Sequence, residues 1–60
     1  MSARYDEILA IITGLEADFT KFYDKGNKAA GTRIRKGMQD IKAKAQEIRV
    51  EIQDKKNAED

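Results

Sequence analysis

Tyr5, Ile8, Ile12, Leu15, Phe19 and Phe22 recur at alternating steps of three and four, and so do Ile34, Met38, Ile41, Ala45, Ile48 and Ile52. Such steps return to one side of an α-helix, so each half of the chain is predicted to be a helix with a continuous apolar seam. Between the halves lies Lys25-Gly26-Asn27-Lys28. Gly26 can take the left-handed conformation that ends a helix, and Asn27 can cap the next one. So short a connection forces the two helices to lie antiparallel. The expectation is an all-α fold over residues 1–60 as one helical-hairpin domain: helix 3–24, turn 25–27, helix 28–56. Its core, or dimer seam, is Ile8, Ile12, Leu15, Phe19, Phe22, Ile34, Met38, Ile41 and Ile48. The second helix is the longer and is expected to overhang the first by roughly 10 Å, with a fraying tail.

Sixty residues hide only about 60% of the surface that the unfolded chain exposes, so a large private core is out of reach. With no cysteine and no histidine, neither disulfides nor the usual zinc spacings are available to help. Leu9, Ile11 and Tyr23 widen the apolar face of the first helix beyond what one neighbour covers. Two hairpins packed into a four-helix bundle or coiled coil, a dimer, would use that surplus; on the other reading, Leu9 and Ile11 wrap the hairpin interior of a marginal monomer. Gly31 and Gly37 fall inside the second helix, where each costs about 1 kcal/mol relative to alanine. They serve either close approach of the backbones or a pliable helix start, and periodicity does not choose between these.

The net charge is +1, but it is unevenly placed. Residues 1–20 set one arginine against four carboxylates, residues 21–49 set nine Lys and Arg against three, and residues 50–60 are again acidic. Lys28, Arg35, Lys42, Arg49 and Lys56 are spaced by seven and form one basic stripe beside the seam. Lys21, Lys25, Arg33 and Lys36 gather near the turn. Stripe and tip together offer a positive edge for the phosphates of a polyanion. Thr32, Gln39, Gln46 and Gln53 run alongside and can donate hydrogen bonds to phosphate or sugar, without reading sequence. The alternative is that these cations pair across the seam with Glu16 and Asp18. Arg33, Asp40, Glu47 and Asp54 form a mixed stripe typical of a solvated face. Of the four aromatic residues, only Tyr23 lies off the seam and is open to stack on a base.

Catalysis is not expected. There is no thiol or imidazole, and the lone serine, Ser2, sits in a terminus expected to be mobile. Neighbouring carboxylates such as Asp6 and Glu7 diverge around a helix. No strand precedes Gly26 and Gly31 to make a phosphate-binding loop. No cofactor, metal or small-molecule substrate is expected. The longest apolar run, Ile8–Ile12, is too short to span a membrane or to act as a secretory leader, so a cytoplasmic protein is expected.

The run Lys25-Gly26-Asn27-Lys28-Ala29-Ala30, followed by Arg33, Ile34 and Arg35, resembles the bacterial linker-histone-like nucleoid proteins, the chlamydial histone-like family. The likeness takes in the flanking helices, though only these two segments are distinctive. It implies a histone-like protein that binds DNA without marked sequence preference and condenses the chromosome within the bacterial nucleoid. Phosphate contacts are then expected from Lys25, Lys28, Arg33, Arg35, Lys36, Lys42 and Arg49. The chlamydial type continues into a long tail rich in lysine and alanine, whereas Asn57–Asp60 here is acidic. Either the sequence is truncated or DNA is gripped weakly through the helical part. Equally, that part serves mainly to dimerise and so holds two weak surfaces together. The reading from another class is a helical protein-interaction or oligomerisation module without nucleic-acid binding.

Overall fold

A computed structural model of the chain describes residues 3–59; Met1, Ser2 and Asp60 lie outside the described residues, and with them the expectation for Ser2. Three helices follow in order, α1 (Ala3–Gly14), α2 (Glu16–Lys25) and α3 (Lys28–Glu59). The first two form one arm of an antiparallel hairpin and α3 forms the other. The molecule is a rod of 51 × 20 × 12 Å.

The expected first helix is two helices, with a break at Leu15. There the Leu15 N–H reaches back to the Ile12 carbonyl at 3.1 Å, three residues rather than four, which tightens the turn. The local sequence favours the break. Ile11, Ile12 and Thr13 are β-branched and lose rotamer freedom in a helix, and Gly14 follows them. The hairpin turn follows its residue types. Gly26 sits at φ 66°, ψ 27°, a left-handed conformation that disfavours a side chain. The Asn27 side-chain oxygen accepts the Ala30 N–H at 3.1 Å, satisfying one of the free donors at the start of α3.

The two arms meet along a row rotated from the predicted seam. On α3 the inward row is Ala30, Ile34, Gly37, Ile41, Lys44 and Ile48. Facing it are Ile8, Ile11, Leu15 and Asp18, with Leu15, Ile34 and Ala30 buried. The smallest residues fix this rotation. A methyl added at Gly31 would stand 2.7 Å from the Phe22 ring, and one at Gly37 would overlap Leu15. Both glycines therefore serve close approach, each receiving a large side chain from the other arm.

Several residues predicted for the core stand at its edge. Ile8, Phe19, Ile41 and Ile48 are half-buried, while Ile12, Phe22 and Met38 are exposed. Tyr5, Leu9 and Ile52 are also exposed. The radius of gyration is 15.1 Å, against about 10 Å for a compact domain of this length.

Candidate nucleic-acid interface

The seam has two edges of different character. One is ionic. Asp18, buried on α2, accepts hydrogen bonds from the Arg33 guanidinium, from Nε at 3.0 Å and 3.1 Å to its two oxygens and from Nη2 at 2.8 Å. The hydrogen bond from Arg33 holds the Asp18 carboxyl below its ordinary range, against the opposing effect of desolvation, and Asp18 in turn raises Arg33. Towards the open end, Glu7 bridges Lys44 Nζ at 2.9 Å and Arg4 at 3.1 Å. Arg4 also reaches Glu47 at 3.2 Å and forks onto Glu51. Lys44 is the largest cause that lowers Glu7, and Arg4 the largest that lowers Glu51. Lys36 lines this edge too, in a shallow groove with Ala10, Gly14, Arg33, Gly37 and Asp40.

The opposite edge carries no ion pair among the described residues. Here Met38, Ala45 and Ile52 on α3 lie at steps of seven. Beyond them, further round the helix, run Lys28, Arg35, Lys42, Arg49 and Lys56, all exposed. Successive members of this stripe are about 10.5 Å apart along the helix. A shallow groove lined by Ile34, Arg35, Met38, Gln39 and Lys42 joins the apolar row to the basic one. On the first arm the same edge presents Tyr5, Ile12 and Phe19, again at steps of seven, with Glu16 and Thr20 beside them. Among the uncharged residues along the stripe, Thr32 donates to the Lys28 carbonyl at 3.3 Å and Gln53 to Asn57 at 3.4 Å.

The predicted phosphate-contacting residues therefore divide. Lys28, Arg35, Lys42 and Arg49 share one line. Arg33 and Lys36 stand on the ionic edge, with Arg33 committed to Asp18, and Lys25 closes α2 at the tip. Pairing across the seam does occur, but through Arg4, Arg33 and Lys44, not through the stripe, and Glu16 has no ion pair among the described residues. The clasp of Arg4, Glu7, Lys44 and Glu51 was not predicted. Its signal lay in the register, because Asp18 with Arg33, Glu7 with Lys44 and Arg4 with Glu47 are pairs whose numbers sum to one value. No group of three carboxylates suited to a metal ion occurs among the described residues, and no described helix is long and apolar enough to cross a membrane.

The described residues form a two-armed helical rod with one edge of ion pairs and, on the other edge, a line of cations that have no ion pair among the described residues; the class they define is the small all-helical protein. Within that class, the family model of histone H1-like protein Hc1 matches residues 2–58, and the chain belongs to this family, one of DNA-binding structural proteins and not of enzymes. No curated protein and no solved structure matches the chain.

Proposed function

We propose that the chain is an architectural, sequence-nonspecific DNA-binding protein of the bacterial nucleoid, acting as a dimer that condenses the chromosome. The observation that carries this reading is the division of charge. Among the described residues the ion pairs of the hairpin collect on one edge, and Lys28, Arg35, Lys42 and Arg49 of the seven-residue stripe have no ion pair on the other. Cations that no carboxylate compensates are those whose approach to phosphate releases condensed counterions, the main source of sequence-independent affinity. Lys28, Arg35, Lys42 and Arg49 carry the contact, Lys25 extends it at the tip, and Lys36 and Arg33 add only long-range attraction from the far edge.

The dimer rests on area. The hairpin exposes 5034 Å², where a compact monomer of this length would expose about 4,000 Å². The surplus, roughly 1,000 Å², is close to the ~800 Å² that each partner buries in an interface of ordinary size. A second copy laid against the apolar row would cover it and set two basic stripes on one particle, raising avidity without new contacts.

Fluorescence anisotropy of a labelled mixed-sequence duplex at about 50 mM and about 200 mM salt tests the reading, since phosphate contacts make affinity fall steeply with salt. Arg35→Glu with Lys42→Glu should weaken binding by at least about tenfold and flatten the log–log salt slope by about two. Unchanged affinity in this double variant, or no binding by the parent chain at low salt, overturns it. The exposed apolar row favours a second reading, a helical assembly module without nucleic-acid binding, which predicts self-association in the absence of any DNA affinity.

A further inference from the structure

At the tip of the hairpin, where α2 turns into α3, lies a cavity of about 340 Å³ lined by Phe22, Tyr23, Lys28, Gly31, Thr32, Ile34 and Arg35. Its floor is apolar and flat, because Gly31 has no side chain and the Phe22 ring packs over its Cα. Its wall is Tyr23, which is 71% exposed and yet not loose. The Tyr23 ring lies parallel to Phe19 at 6.0 Å between centroids and meets Phe22 edge-on at 5.0 Å. An aromatic ring already fixed by two others loses little freedom when a planar ligand settles on it. Two cations, Lys28 and Arg35, stand at the rim, and neither has an ion pair among the described residues. No carboxylate lines the cavity.

We infer that this tip is a nucleotide pocket, in which an unpaired base stacks on Tyr23 while its phosphate sits between Lys28 and Arg35. The inference rests on the nucleic-acid reading above and adds to it a preference for exposed bases. Charge and shape both select this occupant. The rim demands an anion, the floor and wall demand a flat apolar body, and a nucleotide unit joins the two. A base inside a duplex cannot reach the wall, so the pocket favours single strands, loops, ends and gaps over uninterrupted duplex. The basic stripe starts at this rim with Lys28 and Arg35, so the strand leaving the pocket runs directly onto it.

The test compares three labelled probes of equal length with the full chain: a single strand of mixed sequence, the same strand with its bases removed, and the duplex. Tyr23→Ala should reduce affinity for the base-containing single strand by about five- to a hundredfold, the span of one base–aromatic stack. Its affinity for duplex and abasic strand should change less than twofold, and Tyr23→Phe should restore single-strand binding. In a Tyr5→Phe background, Tyr23 is the one tyrosine of a chain without tryptophan, and its fluorescence should be quenched by the base-containing strand alone. The proposal is overturned if Tyr23→Ala leaves single-strand affinity unchanged, or if it weakens all three probes equally. It is equally overturned if the main effect of the substitution is on sedimentation, which would place the ring in a protein interface. Duplex binding that persists in any of these cases leaves the broader DNA-binding reading standing, whereas no binding to any probe removes both.

Discussion

The ionic edge and the apolar-basic edge flank the same seam, within one small hairpin, and use opposite means. Along the first, Asp18 and Arg33, Glu7 and Lys44, and Arg4 with Glu47 and Glu51 satisfy one another within the chain. Along the second, Ile12, Met38 and Ile52 keep apolar surface in water, and the basic stripe has no ion pair among the described residues. A chain too small to cover both edges has closed one internally and left the other open. The ionic edge ties the arms together in the register that the turn sets; the other edge is the one to which the proposed partner contacts are assigned.

The comparison breaks most visibly at the apolar row. If the proposed dimer forms through this row, Ile12→Asp with Met38→Asp should turn it into a monomer in sedimentation experiments, raising the dissociation constant by more than about a hundredfold, because two carboxylates would be desolvated without partners. A dimer of unaltered affinity would mean that the copies meet elsewhere. Next in size is Gly37→Ala. Its methyl overlaps Leu15, and overpacking of this kind costs about 1–3 kcal/mol, measured by thermal or urea unfolding. Gly14→Ala is its counterpart, since Gly14 has nothing within 4 Å of an added methyl and no positive φ. It should stabilise by about 0.5–1 kcal/mol, and a loss of stability would show that the break at Leu15 needs the glycine.

The smallest effect is expected at the ionic edge itself. Glu7, Asp18 and Glu51 have pKa values lowered in the folded state, so their contribution is complete above the ordinary carboxylate range and is lost as pH falls through the depressed values. The melting temperature should be flat between about pH 7 and pH 5.5 and should decline below about pH 4, less so in high salt. Asp18→Asn should flatten part of that decline. A melting temperature that rises on acidification would contradict the role given to these pairs.

Much of this was legible in the residues. The turn was readable because Gly26 and Asn27 each have a backbone or capping preference that few other residues share. The two helices were readable because steps of three and four leave no other regular structure. The rotation of the seam was not. A count of apolar positions gives Gly37 no weight and reads Lys44 as surface, yet the absence of a side chain at Gly37 is what brings the arms together there. The break at Leu15 had a local signal in Ile11, Ile12, Thr13 and Gly14 that the strength of the heptad pattern overrode. The basic stripe was visible as a spacing, but its freedom from ion pairs depended on the register, which follows only once the turn is placed.

Every contact between the arms is reached through the one turn at Gly26 and Asn27. Pairs near it, such as Phe22 over Gly31, close a loop of a few residues, while Arg4 and Glu51 close nearly the whole chain. Loop-closure entropy rises with that separation. The hairpin therefore zips from its tip, and once the nearest pairs are formed each later one is a short step. Opening is expected to run the other way, with the clasp at the free end letting go before the tip.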